Sequence, residues 1–350
     1  MKKLIRVLGI IVLIPIILIV LGLLASVLIS PPGAGEEPAA ELSIPYPVVI
    51  AHRGASHLAP ESTVPAYLLA REMGADYLEV DVQRTADGVL IAFHDDTPER
   101  TTNVAEVFPG REQDFIETFS YEELLELDAG SWFNEAFPEM ARDSYVGLRI
   151  LTLDEVITIA EEGNNNPGLY LETKSAPRHP GIEQQIIELL SERGWLSAPP
   201  DLPPPVSNLN EAVGAPTVNV AATPARVIFQ SFHFESIIRL KDQAPDLPRV
   251  LLISEEMEAQ YGWDYMLDFA LDYAQGIGPV GYLGWPWHIG PAHRKGLVVH
   301  PYTINEAWQM RLLSFFGADG FFTDRSELAI ELLGKGGPVE VEAVFERIGY

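Results

Sequence analysis

The segment Tyr77–Gln83, with the sequence YLEVDVQ, places two carboxylates on one face of a predicted β-strand. Glu79 and Asp81 are two residues apart, so their side chains point to the same side of the strand, with Cα atoms about 6.5 Å apart. The opposite face is entirely aliphatic. Because the burial of an isolated charge is very unfavourable, these carboxylates require a metal ion, basic partners or a proton.

Polar residues also stand at the ends of other apolar runs. His52 and Arg53 follow VVIA, His94 follows VLIAF, and Glu172 and Lys174 share one face of LYLETK. Glu172 completes a set of three carboxylates, which are the hard oxygen ligands that suit Ca²⁺ or Mg²⁺. The two bases would hold an anion beside the cation, and two histidines suit acid/base catalysis near neutral pH. This combination fits the hydrolysis of a phosphate ester.

Eight apolar runs alternate with helical patterns between residues 47 and 335, which predicts an α/β fold, a (β/α)8 TIM barrel. A doubly wound sheet has the same alternation. The predicted strands are VVIAH, YLEVDV, VLIAFH, GLYLETK, VIFQSF, RVLLIS, LVVH and DGFFTD. Functional groups of such barrels collect at the carboxyl ends of the strands, where the polar residues above lie.

Other segments fall outside the repeating unit. Residues 96–150 are predicted to form a small insertion after the third strand, residues 196–226 an extended surface loop, and residues 336–350 a C-terminal tail. The segment VGYLGWPW is interpreted as a loop.

The N-terminus predicts a membrane anchor over residues 1–29. Basic residues precede Val7–Ile29, a run of 23 residues without a charge. A helix of that length covers roughly 34 Å and would cross a bilayer, and the run is longer than the apolar region of a signal peptide. We therefore expect a single-pass membrane protein whose catalytic domain is extracytoplasmic, with secretion after signal cleavage as the alternative. Residues 30–46 are predicted to be a solvated, semi-extended linker.

The amino-acid composition excludes several classes of partner and of site. The 50 acidic and 23 basic residues give a formal net charge of -27, which argues against a nucleic-acid partner. A hydrophobic content of 47% argues against a disordered chain. There is no cysteine, so disulfides, zinc–thiolate sites and thiol nucleophiles are excluded. The sequence makes no prediction of oligomeric state.

The stretch AHRGASHLAPESTVPAYLLAREMGADYLEVDVQRTADGVLIAFHDDTPERTTNV resembles the glycerophosphodiester phosphodiesterase family. LETK, IFQSFHFESIIRLK, VVHPYTIN and GADGFFTD follow in the family's order, so the resemblance covers residues 47–335. It implies a barrel hydrolase that cleaves small-molecule glycerophosphodiesters to sn-glycerol 3-phosphate and an alcohol, with a divalent cation.

The resemblance also assigns site residues by motif. They are the catalytic pair His52 and His94, the metal ligands Glu79, Asp81 and Glu172, the phosphate-binding Arg53 and Lys174, the nearby acid Glu61, and the aromatic wall Tyr302. HPYT and TTNVAEVFPGR resemble the secreted, calcium-using members, which favours Ca²⁺ over Mg²⁺. Two alternatives are a lysophospholipase D that acts on membrane lysolipids and a binding module without catalysis. The binding module predicts losses among the histidines or carboxylates, and all are present.

Overall fold

The computed structural model describes residues 21–197 and 217–350. Its strands are β1 (Val48–Ala51), β2 (Tyr77–Arg84), β3 (Leu90–Ala92), β4 (Gly168–Thr173), β5 (Val227–Ser231), β6 (Arg249–Ile253), β7 (Gly276–Pro279), β8 (Val298–Val299) and β9 (Gly320–Thr323). Eight of them are parallel neighbours in the order β8-β7-β6-β5-β4-β2-β1-β9. Backbone hydrogen bonds from Asp319 to Val299 and from Phe322 to Pro301, both 3.0 Å, join β9 to the β8 segment and close the barrel. The predicted (β/α)8 barrel is therefore confirmed.

Helices pack around this barrel and over its ends. They are α1 (residues 21–29), α2 (Glu36–Glu41), α3 (Val64–Met73), α4 (Val104–Val107), α5 (Tyr121–Leu124), α6 (Ser131–Ala136), α7 (Leu153–Glu161), α8 (Ile182–Glu192), α9 (Phe234–Gln243), α10 (Glu255–Tyr261), α11 (Trp263–Tyr273), α12 (Pro286–Arg294), α13 (Ala307–Phe315), α14 (Ser326–Leu332) and α15 (Val341–Ile348). Helix α3 shows how sequence sets the bounds: Pro65 occupies its first turn, and Gly74 ends it in the left-handed region at φ 92°.

One of the eight predicted strands lies outside the barrel, and one of the eight barrel strands was not predicted. Seven of the eight predicted strands lie in the barrel, but VLIAFH forms β3, which pairs antiparallel with β2 outside the ring. The eighth barrel strand is β7, Gly276–Pro279, which the sequence did not indicate. The two glycines that flank Ile277 explain the omission, since a strand with one large side chain carries almost no hydrophobic pattern.

Strand alternation divides the barrel interior into layers. Tyr77, Tyr170 and Phe322 fill the lower interior, with the two tyrosine rings 5.7 Å apart in an edge-on contact. Two residues further along β2, the interior positions become acidic at Glu79 and then Asp81. The barrel therefore has an apolar floor beneath a polar layer at the carboxyl ends of the strands.

The predicted insertion, residues 96–150, follows β3 and includes helices α4, α5 and α6. Part of it packs with the β3 segment in an apolar cluster that is separate from the barrel core, formed by Ile91, Phe93, Val104, Ile116, Phe119, Leu124, Leu127, Ala129 and Ile150. Phe133 and Tyr145 of the insertion are instead buried in the main core cluster of the barrel. The backbone of Ala92 donates to Leu151 at 2.9 Å, so the two ends of the insertion lie side by side.

The predicted membrane-spanning helix is corrected by the structure. Within residues 21–197 and 217–350, no helix is both long and apolar enough to span a bilayer. The part of Val7–Ile29 that the structure describes is α1, and Ser30 after it bonds through its hydroxyl to the carbonyl of Phe316 on the barrel. Residues 7–20 of the predicted span lie outside the described residues.

The segment after α1 also differs from the solvated, extended linker that the sequence predicts. Helix α2 lies within it, and Ala39 and Ile44 are buried in the apolar cluster at the amino end of the barrel. Most of the predicted 196–226 loop, residues 198–216, lies outside the described residues.

Gly35 fits tightly against that end of the barrel, which gives a prediction. An added Cβ would lie 1.7 Å from the carboxylate of Asp319, which is buried and held by His293 and the Val299 amide. We expect Gly35→Ala to lower the free energy of unfolding by about 1–3 kcal/mol, measured by denaturant unfolding. Gly337→Ala is the control because no atom lies within 4 Å of its Cβ position. Equal stability of the two variants would contradict this packing.

Candidate active site

Three buried carboxylates face one another at the carboxyl ends of β2 and β4. The parallel register pairs Asp81 with Glu172, and Glu79 precedes Asp81 on the same face of β2. One oxygen from each of the three lies within 4.8 Å of the other two, an arrangement that would hold a metal ion. Asp81 Oδ2 accepts no well-aligned hydrogen bond among the described residues, although the guanidinium of Arg53 forms an ion pair with it at 3.1 Å.

The pKa values of the three carboxylates are shifted in different directions. Burial, reinforced by Asp81, raises the pKa of Glu79 well above its usual value. Burial also raises the pKa of Glu172, to about 7, although Lys174 opposes the rise. Burial alone would raise the pKa of Asp81, but Lys174, His94 and Arg53 lower it below the usual range. Like charges this close cannot all be ionised at low cost, so the triad favours a cation between its members.

Two bases flank the triad. Arg53 Nε lies 3.1 Å from Asp81 Oδ2, and its backbone amide donates to Glu79 Oε2 at 2.9 Å. Lys174 Nζ lies 3.4 Å from Asp81 and 3.3 Å from Glu172. Gly54 shapes this turn, because its φ of 86° and the Ala66 carbonyl carbon, 2.6 Å from a Cβ position, leave no room for a side chain. These bases face the same cleft as the acids, which suits an anionic substrate.

His52 is held in one orientation by residues from the far end of the chain. Its Nδ1 lies 2.7 Å from Asp324 Oδ1, at the end of β9. Asn305 donates to the other oxygen of that carboxylate at 2.5 Å, and Ser56 donates to the first at 3.0 Å. Because a carboxylate accepts the Nδ1 proton, Nε2 of the neutral ring is left to take up a proton. Burial and then Arg53 lower the pKa of His52, which keeps the ring neutral near pH 7.

His94 has a matching arrangement built from different elements. Its Nδ1 lies 2.5 Å from Asp95 Oδ1. Arg100, in the insertion, bonds both oxygens of Asp95 and both oxygens of Glu61. Glu61 in turn accepts from Arg53 at 2.9 Å. The insertion thus joins the support of His94 to the base beside the triad.

An aromatic wall closes one side of the cleft. Phe232 and Tyr302 meet edge to face with ring centroids 5.7 Å apart, and the Tyr302 hydroxyl donates to the carbonyl of Ile253 at 3.2 Å. Lys174 Nζ lies 5.9 Å from the Phe232 ring. The hydroxyl is therefore used for positioning, and the ring is the part that faces the substrate space.

Eight of the nine residues predicted from the sequence line one cleft: His52, Arg53, Glu79, Asp81, His94, Glu172, Lys174 and Tyr302. Glu61 lies behind it as a partner of the two arginines. The sequence did not predict the carboxylates that hold the histidines, Asp324 and Asp95. The adjacency of His94 and Asp95 was a usable signal, whereas nothing local connects Asp324 to His52, 272 residues away.

A barrel with paired histidines, an acidic triad and two bases at one end defines a hydrolase of phosphate esters. A sequence model described as the glycerophosphoryl diester phosphodiesterase family matches residues 52–328, and the chain belongs to this family. It is 34% identical over 285 residues to a Bacillus subtilis (strain 168) glycerophosphodiester phosphodiesterase, covering 80% of this chain and 84% of that protein. It is 31% identical over 291 residues to that of Caldanaerobacter subterraneus subsp. tengcongensis, covering 83% and 99%.

A solved structure supports the same assignment. The Oleispira antarctica phosphodiesterase in complex with the product sn-glycerol-3-phosphate has a TM-score of 0.60 and 25% identity, covering 86% of this chain and 97% of that one. The chain is a glycerophosphodiester phosphodiesterase.

Proposed function

We propose that this enzyme releases sn-glycerol 3-phosphate and an alcohol by acid/base catalysis between His52 and His94. In this proposal Glu79, Asp81 and Glu172 hold a divalent cation. The observation that carries it is the geometry of the two imidazoles, each bound through Nδ1 to a carboxylate at a cleft that also holds the triad.

Each residue in this cleft has a definable task. Arg53 and Lys174 bind the phosphate and stabilise its developing charge, and a bound cation would polarise a phosphate oxygen. In this proposal His52, whose ring is kept neutral by burial, accepts a proton from the attacking oxygen through Nε2, and His94 donates one to the leaving oxygen. Asp324 and Asp95 keep the two rings in the required tautomer. Phe232 and Tyr302 exclude water from one side.

Asp324 supplies a test of this assignment through pH. Its carboxylate raises the pKa of His52, against burial and Arg53, which lower it. We expect Asp324→Asn to lower kcat about tenfold or more and to move the acidic limb of kcat/KM to lower pH, because His52 would then protonate less readily. The measurement is the pH profile of the variant beside Ser56→Ala, which removes a hydrogen bond of Asp324 but no charge. An unmoved acidic limb in Asp324→Asn would contradict the role given to His52.

We infer that the cation is Ca²⁺ rather than Mg²⁺. The support is the resemblance of HPYT and TTNVAEVFPGR to secreted, calcium-using members, together with an all-oxygen triad. Ca²⁺ accepts six to eight oxygen ligands in irregular geometry, whereas Mg²⁺ requires a near-ideal octahedron.

The deciding experiment removes metal with a chelator and then adds back Ca²⁺ or Mg²⁺. Release of sn-glycerol 3-phosphate from glycerophosphocholine is expected to return with Ca²⁺. Recovery with Mg²⁺ alone would reverse the choice of cation. Recovery only on lysophosphatidylcholine would favour the lysophospholipase D alternative, and no release from either substrate would overturn the proposal.

We also infer that the catalytic domain works outside the cytoplasm. The support is the order of Lys2, Lys3 and Arg6 before an uncharged run, an order that export signals share. Fusion of residues 1–46 to a reporter enzyme that is active only outside the cytoplasm tests this location. A fusion protein that is produced but inactive, and that is found by immunoblot in the cytoplasmic fraction, would contradict it.

A further inference from the structure

Exposed aromatic rings gather on one side of the barrel, around α12 and α13. We call Tyr282, Trp285, Trp287, Trp308 and Phe315 the aromatic patch. Trp285 and Trp287 stack in parallel with centroids 5.1 Å apart, and Tyr282, Trp285 and Trp308 line one apolar groove. The three tryptophans are 39%, 54% and 62% exposed. Large exposed apolar areas on a folded domain mark a surface that binds a partner.

The aromatic patch lies in a sector of the chain that is almost free of negative charge. Residues 274–318 include one acidic residue, Glu306, although acids make up 50 of the 350 residues. The same sector carries Arg294, Lys295 and Arg311, of which Lys295 is ion-paired with Asp268 at 2.9 Å. Glu255, Glu256 and Glu258, which all act on Tyr282, mark the acidic edge of this surface. The tryptophan side of the aromatic patch therefore has few acids and carries the bases Arg294 and Arg311, whereas its Tyr282 edge is acidic.

Helix α1 extends this surface. Arg294 donates to the carbonyl of Ile29 at 3.1 Å, and the Ser30 hydroxyl donates to Phe316, so the carboxyl end of α1 lies against the same sector. Its exposed side chains are leucine and isoleucine, at Leu21, Leu23, Leu24, Leu28 and Ile29. Residues 21–35 contain no acid. The apolar area therefore continues from the barrel onto the segment that precedes it.

The aromatic patch also adjoins the catalytic cleft. The backbone amide of Gly281 donates to the carbonyl of Tyr302 at 2.7 Å, and Tyr302 lines the cleft. Ile304, two residues further on, lines the aromatic groove. One short segment therefore forms a wall of both spaces.

We propose that the aromatic patch docks the folded domain onto a lipid surface that carries anionic headgroups, beside the catalytic cleft. Tryptophan and tyrosine rings prefer the boundary between headgroups and acyl chains, because they combine an apolar body with a polar N–H or O–H. The arginines and the shortage of acids complement anionic lipid, whereas the rest of this acidic surface is repelled by it. Such contact is peripheral and does not require a membrane-spanning helix.

The chain offers a matched control for this proposal. Tyr261 and Tyr265 form a second stacked, exposed aromatic pair, 5.7 Å apart, in an acid-rich region at α10 and α11. Trp285→Ser/Trp287→Ser removes a pair from the patch, and Tyr261→Ser/Tyr265→Ser removes one outside it. Neither pair lies in the catalytic cleft.

The experiment uses the full chain and phosphatidylcholine vesicles with or without phosphatidylglycerol, in which some acyl chains carry bromine. We expect bromolipid to quench the parent's tryptophan emission, more strongly when phosphatidylglycerol is present. The quenched fraction should fall about threefold or more in Trp285→Ser/Trp287→Ser and stay unchanged in Tyr261→Ser/Tyr265→Ser.

Three results would overturn the proposal. The first is the absence of quenching in the parent. The second is vesicle binding in which Trp285→Ser/Trp287→Ser keeps the parent's quenched fraction, since the contact would then lie elsewhere in the chain. The third is a parent dimer, seen by sedimentation without lipid, that this variant loses while vesicles cause no quenching. The patch would then bind a second copy of the chain. Equal melting temperatures of the two variants exclude a folding defect as the cause.

Discussion

Glu79→Gln is expected to abolish sn-glycerol 3-phosphate release and to raise the melting temperature of the metal-free enzyme. Activity falls because the triad loses a charged ligand. Stability rises because the pKa of Glu79, raised by burial and Asp81, shows that its charged form is unfavourable in the folded protein near pH 7. A gain of 1 kcal/mol corresponds to a shift of roughly 2–4 °C.

Gln230 makes this substitution structurally tolerable. Its Nε2 donates to Glu79 Oε1 at 3.0 Å, while its own Oε1 has no partner among the described residues. A flipped Gln230 amide would accept from the new Gln side chain, whose oxygen would keep the bond from the Arg53 amide.

Thermal unfolding with and without Ca²⁺ provides the readout for Glu79→Gln. The parent should gain stability from the ion, by about 2.7 kcal/mol at a concentration one hundred times the Kd, and the variant should gain little. Glu117→Gln, in the insertion and outside the triad, is the control. A variant that melts below the metal-free parent would show that the triad is not strained by its charges.

His52→Asn and His94→Asn are each expected to lower kcat by about 10²–10⁴-fold without removing the stabilisation by the cation. Each substitution deletes a group that moves a proton but leaves the carboxylates in place. The double variant should lose little beyond the worse single variant, because the two groups act in one reaction. Steady-state kinetics and cation-dependent melting, measured on the same samples, separate catalysis from binding.

His57→Asn is the matched control for the histidine pair. His57 lies near the same strand end, where its backbone amide donates to Asp324, but its side chain is outside the cleft. Its kcat should stay close to that of the parent. A comparable loss in this control, or loss of cation binding in His52→Asn, would indicate structural damage rather than missing proton transfer.

The sequence predicts the barrel strands correctly where they carry several apolar side chains. It fails for two segments whose local hydrophobic pattern does not reveal their position in the sheet. VLIAFH looks like any buried parallel strand, yet Asp87-Gly88 directly before it is a turn signal that favours an antiparallel hairpin with β2. β7 is not predicted because its sequence, GIGP, has too few large apolar side chains to give a hydrophobic pattern.

The site residues also fall into a group that the sequence predicts and a group that it does not. Residues that stand at strand ends, such as Glu79 and His52, can be found because strand ends of a barrel converge. Asp324 and Arg100 cannot be assigned in this way, since their partners are set by closure of the ring and by the insertion. The membrane-span prediction rested on hydropathy alone, and α1 shows that part of such a run ends against the barrel instead.

The insertion over residues 96–150 is a block that could be exchanged between relatives, and we call it the cassette. Its ends are held together by the Ala92–Leu151 hydrogen bond, so its length can change at little loop-closure cost, provided that the contacts of Phe133 and Tyr145 with the barrel core are kept. Arg100 belongs to this cassette, although the histidine it supports does not. Replacing this segment with that of a relative would therefore change the support of His94 and the shape of the cleft mouth at the same time. The carboxylate triad would stay in place. Substrate range in such enzymes can thus diversify by replacement of a block rather than by point changes in the barrel.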